Sequence, residues 1–213
     1  MFVVSKVAAE HKTYEEAMAG INETLEKMGL DYLDMMIIHS PQPWAKVNQC
    51  EDRYIEGNRA AWKALEDAYK AGKLKAIGIS NFLIEDIASL LETAKIKPMV
   101  NQILLHISNT PMELVEYCQK NNIVVEAYSP IAHGEILNQP EITTIAKKYG
   151  VTVPQICIRY PWLFRLRANH QVFELFSKIV FYPQKFYQQL IKDPANARPL
   201  KSVFIQFRRT YSV

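Results

Sequence analysis

"KAIGISNF", residues 75–82, runs through small apolar positions, Ala76, Ile77, Gly78 and Ile79, and then stops on a polar pair, Ser80 and Asn81. The same abrupt ending recurs in "MIIHSP" (36–41), which halts at His39, and in "MVNQ" (99–102), which halts at Asn101 and Gln102. A run that is apolar at successive positions, not at every second one, has no solvent face. It reads as a short strand buried on both sides.

Working outward, each such run is followed by a helical pattern. "FVVSK" (2–6) precedes "TYEEAMAGINETLEKMGL" (13–30), where Ala17, Ile21, Leu25 and Met28 share one face and Gly29 marks the stop. "DMMIIH" (34–39) precedes "GNRAAWKALEDAYKAGK" (57–73), with Ala61, Leu65 and Ala68 on one face and Gly72 as its stop. "KAIGIS" precedes "IEDIASLLETAK" (84–95), and "MVNQI" precedes "PMELVEYCQKNN" (111–122), which has proline at its first turn. "IVVEAY" (123–128) is followed by helical "PEITTIAKKYG" (140–150) and by "VPQICIRY" (153–160). About five fully apolar strands alternating with helices predict an α/β fold: a parallel sheet covered by helices.

The polar endings then have one explanation. In parallel βα architectures the loops after the strands' C-terminal ends build the functional site, because several ends converge there beside helix N-termini with free N–H groups. Lys6, His39, Ser80 with Asn81, Gln102 and Tyr128 all fall at such ends. Each has a plain structural alternative: Ser80 and Asn81 can cap the next helix, Tyr128 can be a core aromatic with its hydroxyl reaching out, and Lys6 can snorkel to solvent.

Composition narrows the function classes. With 213 residues, 49% hydrophobic and 22% charged, the sequence is that of a globular protein with one sizeable core or a domain and an appendage. A net charge of +3, with both signs interleaved through the first two thirds, gives no footprint for nucleic acid. Cys50, Cys118 and Cys157 follow no metal-binding or redox spacing, which predicts reduced thiols. No stretch approaches the roughly 18 apolar residues of a membrane span, and the opening "MFVVSK" is too short for a signal peptide. The expectation is a soluble cytoplasmic protein with no membrane partner.

Four separated motifs, "GLDYLDMMIIHSP" (29–41), "AWKALEDAYKAGKLKAIGISNF" (61–82), "KPMVNQILLH" (97–106) and "IVVEAYSPIAHG" (123–134), resemble the aldo-keto reductases in order and spacing, in particular members close to the diketogluconate reductases. The resemblance spans Phe2 to about Tyr160. It implies a (β/α)8 TIM barrel that binds NADPH across its C-terminal rim without a Rossmann domain and reduces a small carbonyl substrate by hydride transfer. The sequence has no GxGxxG after any strand, in keeping with this. By resemblance, Ser80, Asn81 and Gln102 hold the nicotinamide carboxamide, Tyr128 stacks on the ring, and the loop Ser129, Pro130, Ile131 passes under the pyrophosphate. Lys6 and His39 match two members of a catalytic tetrad, the lysine lowering the pKa of an acidic tyrosine and the histidine orienting the carbonyl.

The sequence also departs from the family pattern. The remaining tetrad members, an aspartate and the tyrosine, belong to the first two βα units, and this sequence begins within what corresponds to the third strand. The expectation is therefore a partial, truncated barrel over residues 1–160 with impaired turnover, since Tyr14 and Tyr32 fall at helix ends and Tyr128 is assigned to stacking. Ser40 and Ile107 stand where many relatives carry Trp and Pro, so the substrate pocket also differs. Residues 161–213 form a divergent basic, aromatic tail. Within it "PLKSV" (199–203), with Lys201, only faintly matches the family's phosphate-gripping motif, and Arg208 and Arg209 are out of step. "PQKFYQQLIKD" (183–193) reads as helical, and "KIVFYP" (178–183) as a surrogate strand that could cover an open sheet edge. Without such cover, open edges predict self-association. The competing reading is a non-catalytic barrel fragment: a binding or regulatory subunit, or a decayed gene product.

Overall fold

The computed structural model describes residues 2–47 and 49–161 and the backbone at 167–168. The stretches 178–183 and 183–193, Lys201, Arg208 and Arg209 lie outside the described residues. The chain divides into two compact units. Among the described residues, the first comprises 2–104 and 111–127, and the second comprises 105–110, 128–161 and 167–168.

In the first unit, strands β1 (Val4–Val7), β2 (Met35–Ile38), β3 (Ile77–Ser80), β4 (Val100–Leu104) and β5 (Val124–Tyr128, whose last residue falls in the second unit) lie side by side in chain order. Pairing is parallel, with Lys6 opposite Ile37, Ile37 opposite Gly78, and Ser80 opposite Gln102. Helices α1 (Tyr14–Met28), α2 (Ile55–Lys70), α3 (Ile84–Thr93) and α4 (Met112–Lys120) fill the crossovers. The βα alternation read from the sequence is thus the architecture observed.

Local chemistry sets the ends of α1. The Thr13 hydroxyl accepts the Glu16 N–H while the Glu16 carboxylate accepts the Thr13 N–H, a reciprocal cap. At the other end Gly29 turns left-handed at φ 62°, and Leu30 N–H returns to the Leu25 carbonyl at 3.0 Å. Ala17, Ile21 and Leu25 are buried as the periodicity predicts, whereas Met28, in the last turn, is exposed.

Two apolar layers flank the sheet. On the inner side Met35, Ile37 and Val100 cluster, with Val4 and Ala76 packed against them. Gly78 belongs to this face, and a Cβ there would meet Val100 Cγ1 at 2.3 Å and the Val100 carbonyl at 2.7 Å. On the other side Met36, Ile38, Ile77 and Ile79 are wholly buried, and α2 packs on β2 and β3. Each such fully buried side chain contributes roughly 1.5–3 kcal/mol. Burial on both faces holds for every residue of β2 and β3. It does not hold for β5, where Val124 is exposed and Glu126 half-buried.

The second unit contains α5 (Pro140–Tyr149), α6 (Val153–Arg159) and the two-residue strand β6 (Arg167–Ala168). Thr152 and Gln155 cap α6 reciprocally, so "VPQICIRY" is a helix.

Candidate functional site at the strand ends

Pairing register decides which side chains meet. Lys6 is level with Ile37 on the inner face, two residues below His39, so both side chains point to the same side of the sheet. Ile38 pairs with Ile79, and Ser80 with Gln102, which puts Ser80 and Gln102 on that side too, one step past the end of β2. Four of the predicted residues therefore converge on one face, although Lys6 is the penultimate residue of β1 instead of its last.

The contacts are direct. Lys6 Nζ donates to Gln102 Oε1 at 2.6 Å, and Gln102 Nε2 donates to Glu126 Oε1 at 3.0 Å. Gln102 is 2% exposed, so a buried amide bridges a half-buried cation and a half-buried anion. The Ser80 hydroxyl donates to the Gln102 carbonyl at 2.8 Å, and the Asn81 N–H reaches the same oxygen at 2.9 Å. Asn81 Nδ2 lies 3.0 Å from the His39 carbonyl and 3.1 Å from Ser80 Oγ. Asn81 sits at φ 61°, a left-handed conformation that Asn tolerates better than most side chains. The polar pair that ends "KAIGISNF" thus stitches β3 to both neighbouring strand ends. Ser80, wholly buried, spends its proton on that seam.

His39 lies just beyond β2, its N–H on the Val7 carbonyl at 3.1 Å and its ring edge-on to Trp44 at 4.8 Å. Burial, and then the Lys6 charge, lower its pKa below the ordinary value, with Glu10 opposing, which leaves the imidazole neutral at pH 7. Lys6 is itself lowered by burial, and the Glu126 carboxylate works against that.

Three residues here escaped the sequence reading. Glu126 carried a signal, a carboxylate inside an otherwise apolar strand run. Trp44 and Glu10 carried none, because their role arises when Glu10 Oε1 accepts the Trp44 N–H at 3.2 Å across 34 residues and sets the indole beside His39.

The remaining predicted residues belong to the second unit. Tyr128 has its phenol pKa raised by burial. Ser129 is left-handed at φ 51°, as are Ala132 at 46° and His133 at 53°, and Ser129 Oγ meets His133 Nε2 at 3.3 Å. Pro130 is buried and Ile131 half-buried, and the Ile131 carbonyl accepts the Gly134 N–H at 2.8 Å. Tyr14 and Tyr32 are engaged elsewhere: the Tyr14 hydroxyl bonds Asp67 at 3.2 Å, and Lys75 Nζ lies 4.8 Å over the Tyr32 ring. Among the described residues, no group of three or more His, Cys, Asp or Glu side chains could hold a metal ion, and no helix is long and apolar enough to cross a membrane.

Known proteins resemble this chain in sequence and fold. The oxidoreductase YtbE of Bacillus subtilis is 42% identical over 160 residues, 75% of this chain and 53% of its own length. Glyoxal reductase of the same organism is 40% identical over 160 residues, 75% of this chain and 54% of its own. The chain therefore spans about half the length of these relatives. The crystal structure of MGS-M4, an aldo-keto reductase from a Medee basin deep-sea metagenome library, matches with a TM-score of 0.71 at 34% identity, over 79% of this chain and 59% of that one. A Bombyx mori aldo-keto reductase in complex with NADP matches with a TM-score of 0.67 at 30% identity, over 79% of this chain and 57% of that one. The profile of the Aldo/keto reductase family matches residues 1–165, most of the sequence, and the chain belongs to that family.

Proposed function

We propose that this chain carries the nicotinamide side of an NADPH-dependent carbonyl reductase site and that, as the 213-residue chain, it binds NADPH with weak turnover. The observation that carries the reading is the convergence of Lys6, His39, Ser80, Asn81 and Gln102 at neighbouring strand ends. The donor set suits a carboxamide: the Gln102 amide, already bonded to Lys6 and Glu126, has a second oxygen lone pair and a second N–H, and Asn81 offers another neutral amide at the same edge. Bound NADPH supplies a hydride to the carbonyl carbon.

Neutral His39 would orient the carbonyl oxygen by a hydrogen bond, and the Lys6 ammonium would favour negative charge developing there. The proton is the weak link. Tyr14 and Tyr32, the two tyrosines nearest Lys6 in sequence, are held by Asp67 and Lys75, which supports slow turnover by this chain. The same contacts favour the second reading, a binding or regulatory subunit that takes up cofactor without reducing substrate.

Fluorescence titration with NADPH, followed by an aldehyde-reduction assay starting with glyoxal, separates these readings. Saturable quenching with slow NADPH oxidation is expected. Quenching with no oxidation selects the regulatory reading. Absence of quenching overturns the nicotinamide site altogether.

A further inference from the structure

We propose that Glu126 is a positioning residue of this site: acting through Gln102, its carboxylate fixes which way the buried amide faces and balances the Lys6 ammonium. The consequence for cofactor binding rests on the function proposed above, but the electrostatic core of the proposal does not.

Glu126 is half-buried on β5, on the strand face opposite that of its buried neighbours Val125 and Ala127. A carboxylate taken partly out of water is favoured where a hydrogen-bond donor and an opposite charge lie within reach. The Glu126 carboxylate accepts from the Nε2 end of Gln102, whose Oε1 end holds Lys6. An amide has unlike ends, so a cation at one and an anion at the other lock it. Turning it over would press N–H against ammonium and carbonyl against carboxylate. Burial strengthens both bonds. The locked amide presents a second lone pair on the Lys6 side and a second N–H on the Glu126 side.

The charges around Lys6 can be named element by element. β5 brings Glu126, and the end of β2 brings His39, whose pKa the Lys6 charge depresses. β3 and β4 bring the neutral Ser80, Asn81 and Gln102, and the loop after β1 brings Glu10, whose charge acts on His39. Burial depresses the Lys6 pKa, and Glu126 is the carboxylate that opposes it.

The test is a pH titration of the lysine Nζ resonances in the full chain by 15N NMR, with Lys6 assigned through Lys6→Arg. In Glu126→Gln the Lys6 midpoint falls, whereas Lys12, pushed down to about 8 by burial and bonded to Ser40 and Asn58, stays put and serves as the internal control. Glu126→Asp, which keeps the charge, restores the Lys6 midpoint toward wild type. In a parallel fluorescence titration Glu126→Leu weakens NADPH about tenfold, the scale of one lost charge-assisted hydrogen bond. If Glu126→Gln does not fold, Gln102→Met breaks the line at its centre with similar volume and lowers the Lys6 midpoint in its place. A Lys6 midpoint unmoved in the folded variant overturns the proposal. Because that measurement contains no cofactor, a wild-type chain that fails to bind NADPH would sink the function proposed above and leave the Glu126 result standing.

Discussion

His39 shows how neighbours set the state of one side chain. Folding half-buries the imidazole and places it near the Lys6 ammonium, and both effects favour the neutral ring. Its proton NMR titration is expected to run below the ordinary histidine value of about 6.5, and to move up in Lys6→Met. The stability linkage follows from the sign. Because the folded pKa is depressed, the unfolded chain takes up the proton first as pH falls. This contribution is therefore complete above the unfolded value and is lost on acidification from there toward the folded one. Urea unfolding across that window should show stability declining with acid, less steeply in Lys6→Met. Gly78 is a second case decided by single atoms. Gly78→Ala drives a methyl into the Val100 carbonyl and is expected to cost about 1–3 kcal/mol in urea unfolding, the usual range for overpacking.

Between elements, a buried ion pair joins the loop before α2 to the start of α3. Arg53 makes a bidentate pair with Asp86, whose side chain is 1% exposed and whose Oδ2 also accepts the Leu83 N–H at 2.8 Å. Gln42 extends the network, donating to the carbonyls of Cys50 and Asp52 and accepting from Arg53 at 3.2 Å. Arg53→Ala strands a buried carboxylate and is expected to cost about 3–5 kcal/mol by chemical denaturation. The exposed pair Lys27 and Glu23 on α1 offers a contrast, and removing it should change stability by at most about 1 kcal/mol. The Thr13 cap lies between these, with Thr13→Ala expected to lose about 1 kcal/mol of helix stability.

At the scale of the molecule, burial is graded across the sheet of the first unit. Ile37, Ile38, Ile77 and Ile79 are 0% exposed, whereas Val124 on β5 is 46% exposed. Native-state hydrogen exchange should follow that grading, with the amides of β2 and β3 the slowest and those at the start of β5 faster. Equal protection in the two places would mean that the unit opens only globally.

The alternation of strands and helices was legible because continuous apolar runs and helical periodicity are local patterns that burial enforces on any chain. The clustering of Lys6, His39, Ser80, Asn81 and Gln102 was legible in outline, since parallel strands bring their ends to one edge. The tertiary structure alone decided the register that puts Lys6 two residues below His39 yet on the same face, and so within reach of Gln102. It also decided the partners of that site, Glu126 closing the line from Lys6 and Trp44 set beside His39 by Glu10. Such pairings depend on distances between residues far apart in the chain, and no local periodicity encodes them.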